Sequence, residues 1–299
     1  MYNRILVPLD GSEHGSQAIP YARILGKGLG AKVELFRVFD PQPEYFWPNP
    51  SEYLQRHQAA LDFREQVMVD LESHKNSLQQ DGIDAIALVH GPEGGAPEGH
   101  EQGHRYGAPA EHIVQQAGDN PDTVILMSTH GRSGIGRWAI GSTAEKVIHV
   151  ASCPVILVRA HSETPVAAET ALKNIVVPSD GSALAESILP HVVGLSKALG
   201  SRVQLLRVTH EDRADADERD HLLRIADRLT GDGVGDVAVE VLNGDPATAI
   251  VEYIDKSPNS LLAITSHGHS GLGRWIMGSV ADRVVRHAAG PVLVLRSSH

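Results

Sequence analysis

Two stretches of the 299-residue chain carry residue types at spacings that can hold a phosphate. Gly131 is followed after nine residues by Gly141-Ser142, and Gly268 after nine by Gly278-Ser279. In each, the second glycine and serine open an apolar-periodic stretch that reads as a helix, as in Ala144, Val147, Ile148 and Ala151. The first amides of such a helix lack an intrahelical acceptor and lie at the positive end of its dipole, so they form an anion site without a lysine. Glycine lets the main chain approach phosphate oxygens, and the serine hydroxyl adds a donor. Upstream of each stretch an aspartate follows an apolar run, Asp10 in PLDGS and Asp180 in PSDGS. It either contacts a ligand or serves the local turn and helix cap. Arg132, Arg137 and Arg274 are near enough in sequence to reach a phosphate, although exposed loop arginines usually face solvent. His130 and His267 sit inside the motif without a nucleophile–base–orienter set. A turn role is expected for them, and no catalytic residue is assigned.

These residues recur because the chain says the same thing twice. RILVPLDGSEHGSQAIPYARILGKGLGAKVELFRV (4–38) matches NIVVPSDGSALAESILPHVVGLSKALGSRVQLLRV (174–208), with Asp10, Pro20 and Val38 against Asp180, Pro190 and Val208 at an offset of 170. STHGRSGIGRWAIGSTAEKVIHVASCPVILVR (128–159) matches TSHGHSGLGRWIMGSVADRVVRHAAGPVLVLR (265–296) at an offset of 137, so the first copy holds 33 additional residues between the blocks. Most of them fall in PQPEYFWPNPSEY (41–53) and GPEGGAPEGHEQGHRYG (91–107). The small, polar AHSETPVAAETA (160–171) reads as the linker, which gives domains at 1–160 and 172–299 joined by 161–171. In the first copy RILVP, KVELFRV, IAL, TVILMS and PVILV read as strands, with helices at about 14–28, 54–80, 108–118 and 142–151. The strands are bare β-branched runs, as expected where both sheet faces are covered. Strand–helix alternation predicts two α/β domains of Rossmann-like type, each a five-stranded, mainly parallel open sheet with helices on both faces. With strand order 3-2-1-4-5 a ligand crevice lies between strands 1 and 4, where both repeated loops fall.

Composition excludes other classes. A net charge of −11 argues against nucleic acid or an anionic membrane as partner. One cysteine, Cys153, allows no intrachain disulfide and fits a reducing compartment; its place before a strand suggests a small buried residue. No export signal or membrane-length run is visible, so a soluble, cytoplasmic protein is expected. The Walker lysine motif is absent, and Gly134-Ile135-Gly136-Arg137-Trp138-Ala139 fits a dinucleotide fingerprint only after the wrong strand. No nucleotidyl-transfer histidine pair follows strand 1. His90, Glu93, Glu98, His100, Glu101, His104 and His112 invite a metal reading, with His100 and His104 four apart. The intervening glycines and prolines predict a solvated loop instead, and no metal site is assigned. Trp138 and Trp275 suit packing, a lid or an interface.

At the Gly-x9-Gly-Ser loops and the post-strand aspartates the chain resembles the universal stress protein family in its tandem form. The resemblance covers nearly the whole chain outside the two insertions and the linker. The family's fold is of the adenine nucleotide α-hydrolase-like type, and its ATP-binding members carry G-x-x-G-x9-G-[ST] after strand 4. Here the first glycine is replaced by Ser128 and Thr265, whose side chains either narrow the pocket or turn aside. By the resemblance, Asp10 with Val38, and Asp180 with Val208, contact adenine; Ser128 and Thr265 lie near adenine and ribose; the later Gly-Ser steps hold phosphates. The implied nucleotide-binding set is Pro8, Leu9, Asp10, Val38, Met127, Ser128, Thr129, Gly131, Arg132, Gly141, Ser142 and Thr143 in the first copy. In the second it is Pro178, Ser179, Asp180, Val208, Ile264, Thr265, Ser266, Gly268, His269, Gly278, Ser279 and Val280. ATP, with or without Mg²⁺, is the implied ligand. The last strands, PVILVR and PVLVLR, form β-branched edges through which the two copies are expected to pair inside one chain, with self-association of the whole chain left open. The function expected is a stress-response module whose conformation or unidentified protein partners respond to the nucleotide. A slow Mg²⁺-dependent ATP hydrolase and a nucleotide-free scaffold are the alternatives.

Overall fold

The computed structural model describes residues 1–38, 50–90, 109–129, 140–159, 171–209, 215–266 and 277–296. The first half runs β1 (Arg4–Pro8), α1 (Glu13–Ser16), α2 (Ile19–Leu29), β2 (Lys32–Val38), α3 (Pro50–Gln80), β3 (Ala85–His90), α4 (Pro109–Ala117), β4 (Thr123–Ser128), α5 (Ser142–Val150) and β5 (Val155–Val158). The second repeats it as β6 (Asn174–Pro178), α6 (Ala183–Glu186), α7 (Leu189–Leu199), β7 (Arg202–Thr209), α8 (Asp215–Gly231), β8 (Val237–Asn243), α9 (Pro246–Asp255), β9 (Ser260–Ser266), α10 (Ser279–His287) and β10 (Val292–Arg296). The strand runs read from sequence are strands here, with β3 extending beyond IAL to Ala85–His90.

The single helix expected over 14–28 is two. Pro20 and Pro190 are the cause: without an N–H they cannot donate to the carbonyl four residues back, but they suit the first turn of a new helix. The chain therefore turns at residues 17–18, where Gln17 N donates to the His14 carbonyl and Ala18 N to that of Gly15, and α2 starts afresh with Pro20 in its first turn. The second copy does the same at Pro190.

The ten strands among the described residues form one sheet, ordered β3-β2-β1-β4-β5-β10-β9-β6-β7-β8. Within each half every pairing is parallel, and β1 lies between β2 and β4 as β6 lies between β7 and β9. The halves meet edge to edge. Val155, Ile156 and Leu157 of β5 pair antiparallel with Val294, Leu293 and Val292 of β10. Alternation along each strand sorts the core into two layers. Ile5, Val7, Leu35, Ile175, Val177 and Leu205 face one side, with Leu25 of α2, Leu71 of α3, Leu195 of α7 and Leu222 of α8. Leu6, Ile125, Leu157, Val176 and Leu262 face the other, with Ile113 of α4, Val147 of α5, Ile250 of α9 and Val284 of α10. Each fully buried side chain of this size stabilises the fold by about 1.5–3 kcal/mol.

Side chains lock the seam on both faces. Tyr2 and His191 share a 2.8 Å hydrogen bond and stack with ring centroids 5.7 Å apart. A Cβ on Gly28 of α2 would collide with Leu199 of α7, so the two helices are packed closely there. On the opposite face, Arg296 donates to the carbonyls of His149 and Val150 at the end of α5, at 3.3 and 3.1 Å. Its counterpart Arg159 donates to the Ala288 carbonyl at the end of α10, at 3.1 Å. Each half thus supplies a cation to the carboxyl end of the other half's last helix, where the dipole favours it. Among the described residues no helix is long and apolar enough to cross a membrane.

Replacing fully buried Leu293 by alanine is expected to cost about 2–5 kcal/mol in urea unfolding, because the cavity would open at the seam. His90, His149 and His191 all have their basicity lowered below the ordinary value of 6.5, first by burial. A depressed histidine pKa means the unfolded chain takes up the proton first. Stability should therefore be complete above about pH 6.5 and fall as pH drops below it. His191→Asn is expected to flatten that slope, as read from denaturation midpoints across the range.

Candidate functional site

The carboxyl ends of β1 and β4 lie side by side, and the chain leaves them for opposite faces of the sheet. After β1 it enters α1 and α2 on the first face, and after β4 it reaches α5 on the second. The crevice this opens is the place where open α/β sheets bind ligands. β6 and β9 repeat it in the second half.

The loop after β1 is held to β2 before it turns. Pro8 is the last residue of β1, and Leu9 N donates to the Phe36 carbonyl at 2.8 Å, leaving Leu9 buried. Pro178 and Ser179 repeat this, with Ser179 N donating to Leu206. The next glycines, Gly11 (φ +77°) and Gly181 (φ +81°), adopt the left-handed conformation. Asp10 Oδ1 accepts from the amide and hydroxyl of Ser12 at 3.0 and 2.6 Å, and Ser12 Oγ accepts from Gly15 N to cap α1. Asp180 likewise accepts from Ser182 N at 2.9 Å, while Ser182 caps α6 through Ala185 N. The serines are the caps, and the aspartates shape the turn in front of them. Burial disfavours the Asp180 anion, yet hydrogen bonds from Ser182 and the charge of Arg207 hold its carboxyl below the ordinary carboxylate value. An ionised acceptor therefore stands beside the crevice at neutral pH.

Behind each turn is an arginine that lies outside the repeated loop motifs. Buried Arg37 lies against Gly11, where a Cβ would strike its guanidinium, and pairs with Asp70 of α3 at 3.4 Å. Arg207 donates to the Ser179 carbonyl at 3.2 Å and pairs with Glu218 of α8 at 2.9 Å. The repeat itself held the signal, since LFRV and LLRV align at the offset of 170.

On the β4 side Met127 is buried and Ser128 half-buried. Thr129 is buried, with its amide donating to Val158. Gly141 N donates to the Thr129 carbonyl, which draws the start of α5 over the end of β4. Gly141 is the N-cap in an extended conformation (φ −58°, ψ 144°), and no side chain among the described residues caps the helix. Ser142 and Thr143 form its first turn, where intrahelical acceptors are lacking. In the second half Gly278 (φ −55°, ψ 145°) caps α10, without side-chain help among the described residues, ahead of Ser279 and Val280. Ile264 and Ser266 are buried, and the half-buried Thr265 keeps its hydroxyl oxygen shielded, with no hydrogen-bond partner among the described residues. Val38 and Val208, at the ends of β2 and β7, pack half-buried on the same face as α5 and α10.

Gly131, Arg132, Gly268 and His269 lie outside the described residues, as do His130, Arg137, Trp138, His267, Arg274 and Trp275. So do Glu93, Glu98, His100, Glu101 and His104, and residues 161–170 of the linker. Among the described residues no three His, Cys, Asp or Glu side chains gather to hold a metal. Cys153 is buried just before β5, at the opposite end of the sheet from the crevice, and burial pushes its thiol up to about 11.

Fold and site together define a tandem, Rossmann-like α/β protein with one switch-point crevice in each half. The model of the universal stress protein family matches residues 1–159 and again 171–296. The chain belongs to the universal stress protein family. A universal stress protein of Synechocystis sp. is 25% identical over 311 aligned positions, covering 98% of this chain and 99% of the relative. One from Thermus aquaticus is 31% identical over 160 positions, 53% of this chain and 100% of its own. The crystal structure of a universal stress protein from Archaeoglobus fulgidus DSM 4304 superposes with a TM-score of 0.72 at 21% identity, with each chain covered in full.

Alanine at Gly11 or Gly181 tests the two turns against each other. The left-handed conformation alone costs about 1–2 kcal/mol per residue for an L-side chain. Gly11→Ala must also displace Arg37, whereas a Cβ on Gly181 meets its neighbours at 3.6 Å or more. Gly11→Ala is expected to lower the thermal midpoint further than Gly181→Ala.

Proposed function

We propose that the chain is a regulatory module that holds an adenine nucleotide, ATP in the first instance, in each half. The phosphates lie on the first amides of α5 and α10, with Gly131, Gly141, Ser142 and Thr143 in one half and Gly268, Gly278, Ser279 and Val280 in the other. The base lies between Asp10 and Val38, or Asp180 and Val208, with Ser128 or Thr265 towards the ribose. Pro8, Leu9, Met127, Thr129 and Arg132, and Pro178, Ser179, Ile264, Ser266 and His269, complete the two contact sets.

One observation carries this reading. Of the helices that start at the crevice, α5 and α10 begin on a glycine with no capping side chain among the described residues, while Ser12 and Ser182 cap α1 and α6 on its other side. Uncapped amides at a helix start suit an anion, even in a protein of net charge −11. The shielded hydroxyl of Thr265 supports the same reading: among the described residues it has no partner, and a ribose or base edge would satisfy it. The groups described there are amides, hydroxyls and a carboxylate, which bind and orient. A bound nucleotide then acts by favouring one conformation, to the extent that it binds that conformation more tightly. Residence in the cytoplasm, without nucleic acid or membrane as partner, belongs to the same reading.

Asp substitution at the two cap glycines tests it. The backbone at Gly141 and Gly278 suits any residue, and an Asp there would cap the helix with its own carboxylate and repel phosphate. ATP titrated calorimetrically, with Mg²⁺ present, should bind at two sites in the native chain, one in Gly141→Asp or Gly278→Asp, and none in the double variant. Stoichiometry unchanged by either substitution would refute the assignment. Phosphate release under the same conditions would move the reading from sensor to hydrolase.

A further inference from the structure

The two halves differ at the base end of the crevice. His90 closes β3 in register with Val38, and its ring lies 4.3 Å, centroid to centroid, from that of His112 on α4. Phe36 stands behind His90 at 6.3 Å. In the second half the residue in register with Val208 is Leu242. The His112 position is Ala249, since PAEHIV (109–114) aligns with PATAIV (246–251) at the offset of 137. An imidazole pair thus stands where the other half has two aliphatic side chains.

Both ring nitrogens of His112 are shielded from solvent, and among the described residues neither has a hydrogen-bond partner. A neutral imidazole offers one donor and one acceptor, and leaving both shielded and unmet is unfavourable. α4 runs back from the carboxyl edge of the sheet, so a residue in its first turns, next to the last residue of β3, belongs to the same end as Val38. Among the described residues these two imidazoles have no third His, Cys, Asp or Glu beside them to complete a metal site.

We propose that His112, backed by His90, is a base-recognition subsite particular to the first half, where it hydrogen-bonds the heteroatom edge of the nucleobase lying against Val38. The second half grips its ligand at this point by apolar contact with Leu242. The inference rests on the nucleotide reading above, and it makes the two halves unequal in ligand preference.

The test isolates one half at a time. In the Gly278→Asp chain, which keeps the first-half site, His112→Ala should weaken ATP binding roughly tenfold. His112→Gln, whose amide keeps a donor and an acceptor, should recover most of it. In the Gly141→Asp chain, which keeps the second-half site, His112→Ala should change nothing. Alanine is what α9 carries at the same place, so the helix is expected to tolerate it, and a thermal melt checks this. Equal ATP affinity with and without the imidazole in the Gly278→Asp chain would overturn the subsite and leave the nucleotide reading standing. Absence of ATP binding in the unsubstituted chain would overturn the nucleotide reading itself. Zinc titrated alone, bound in the unsubstituted chain and lost in both His90→Ala and His112→Ala while ATP affinity holds, would overturn the subsite in favour of a metal.

Discussion

Ten strands become one sheet because the backbone of β5 finds its partner in β10. Left apart, each half would end on a β-branched edge with open N–H and C=O groups, a template for association with other chains. The antiparallel pairing of Val155–Leu157 with Val292–Val294 closes both edges at once. It also merges two small cores into layers that run the width of the molecule. The reciprocal arginines, Arg159 on α10 and Arg296 on α5, have somewhere to reach only because the halves are held this way.

The same seam fixes the separation of the two crevices. Each lies at its own β1–β4 or β6–β9 junction, set back from the shared edge by one strand. What the halves share is a frame, and what they need not share is a ligand. The repeated loops can therefore stay alike while the walls around them differ, as at His90 and His112 against Leu242 and Ala249.

Much of the fold was legible in the sequence because it rests on local pattern. β-Branched runs gave the strands, the paired offsets gave the two copies, and the strand–loop–helix context gave the crevice. The misreading of residues 14–28 as one helix came from following apolar spacing through Pro20, whose missing N–H restarts the helix. The turn aspartates could not be separated from caps by sequence, since D-G-S offers both Asp10 and Ser12 to the helix start and only the backbone decides between them. Arg37, Arg207, Arg159 and Arg296 carry no sequence signal of their roles because their partners are distant in the chain. A strand-end arginine has no local signature of the carbonyl or carboxylate it will meet. The imidazole contact between His90 and His112 was hidden for the same reason, with the His/Glu-rich stretch between them drawing attention to itself.

The central claim is that main-chain amides at the start of α5 and α10 hold a phosphate. Amide proton chemical shifts in a ¹⁵N-labelled chain report this directly as ATP is added. The account predicts large downfield shifts at Ser142 and Thr143 and at Ser279 and Val280, as uncapped N–H groups acquire an anionic acceptor. Amide shifts that leave these four residues unmoved at saturating ATP would contradict it.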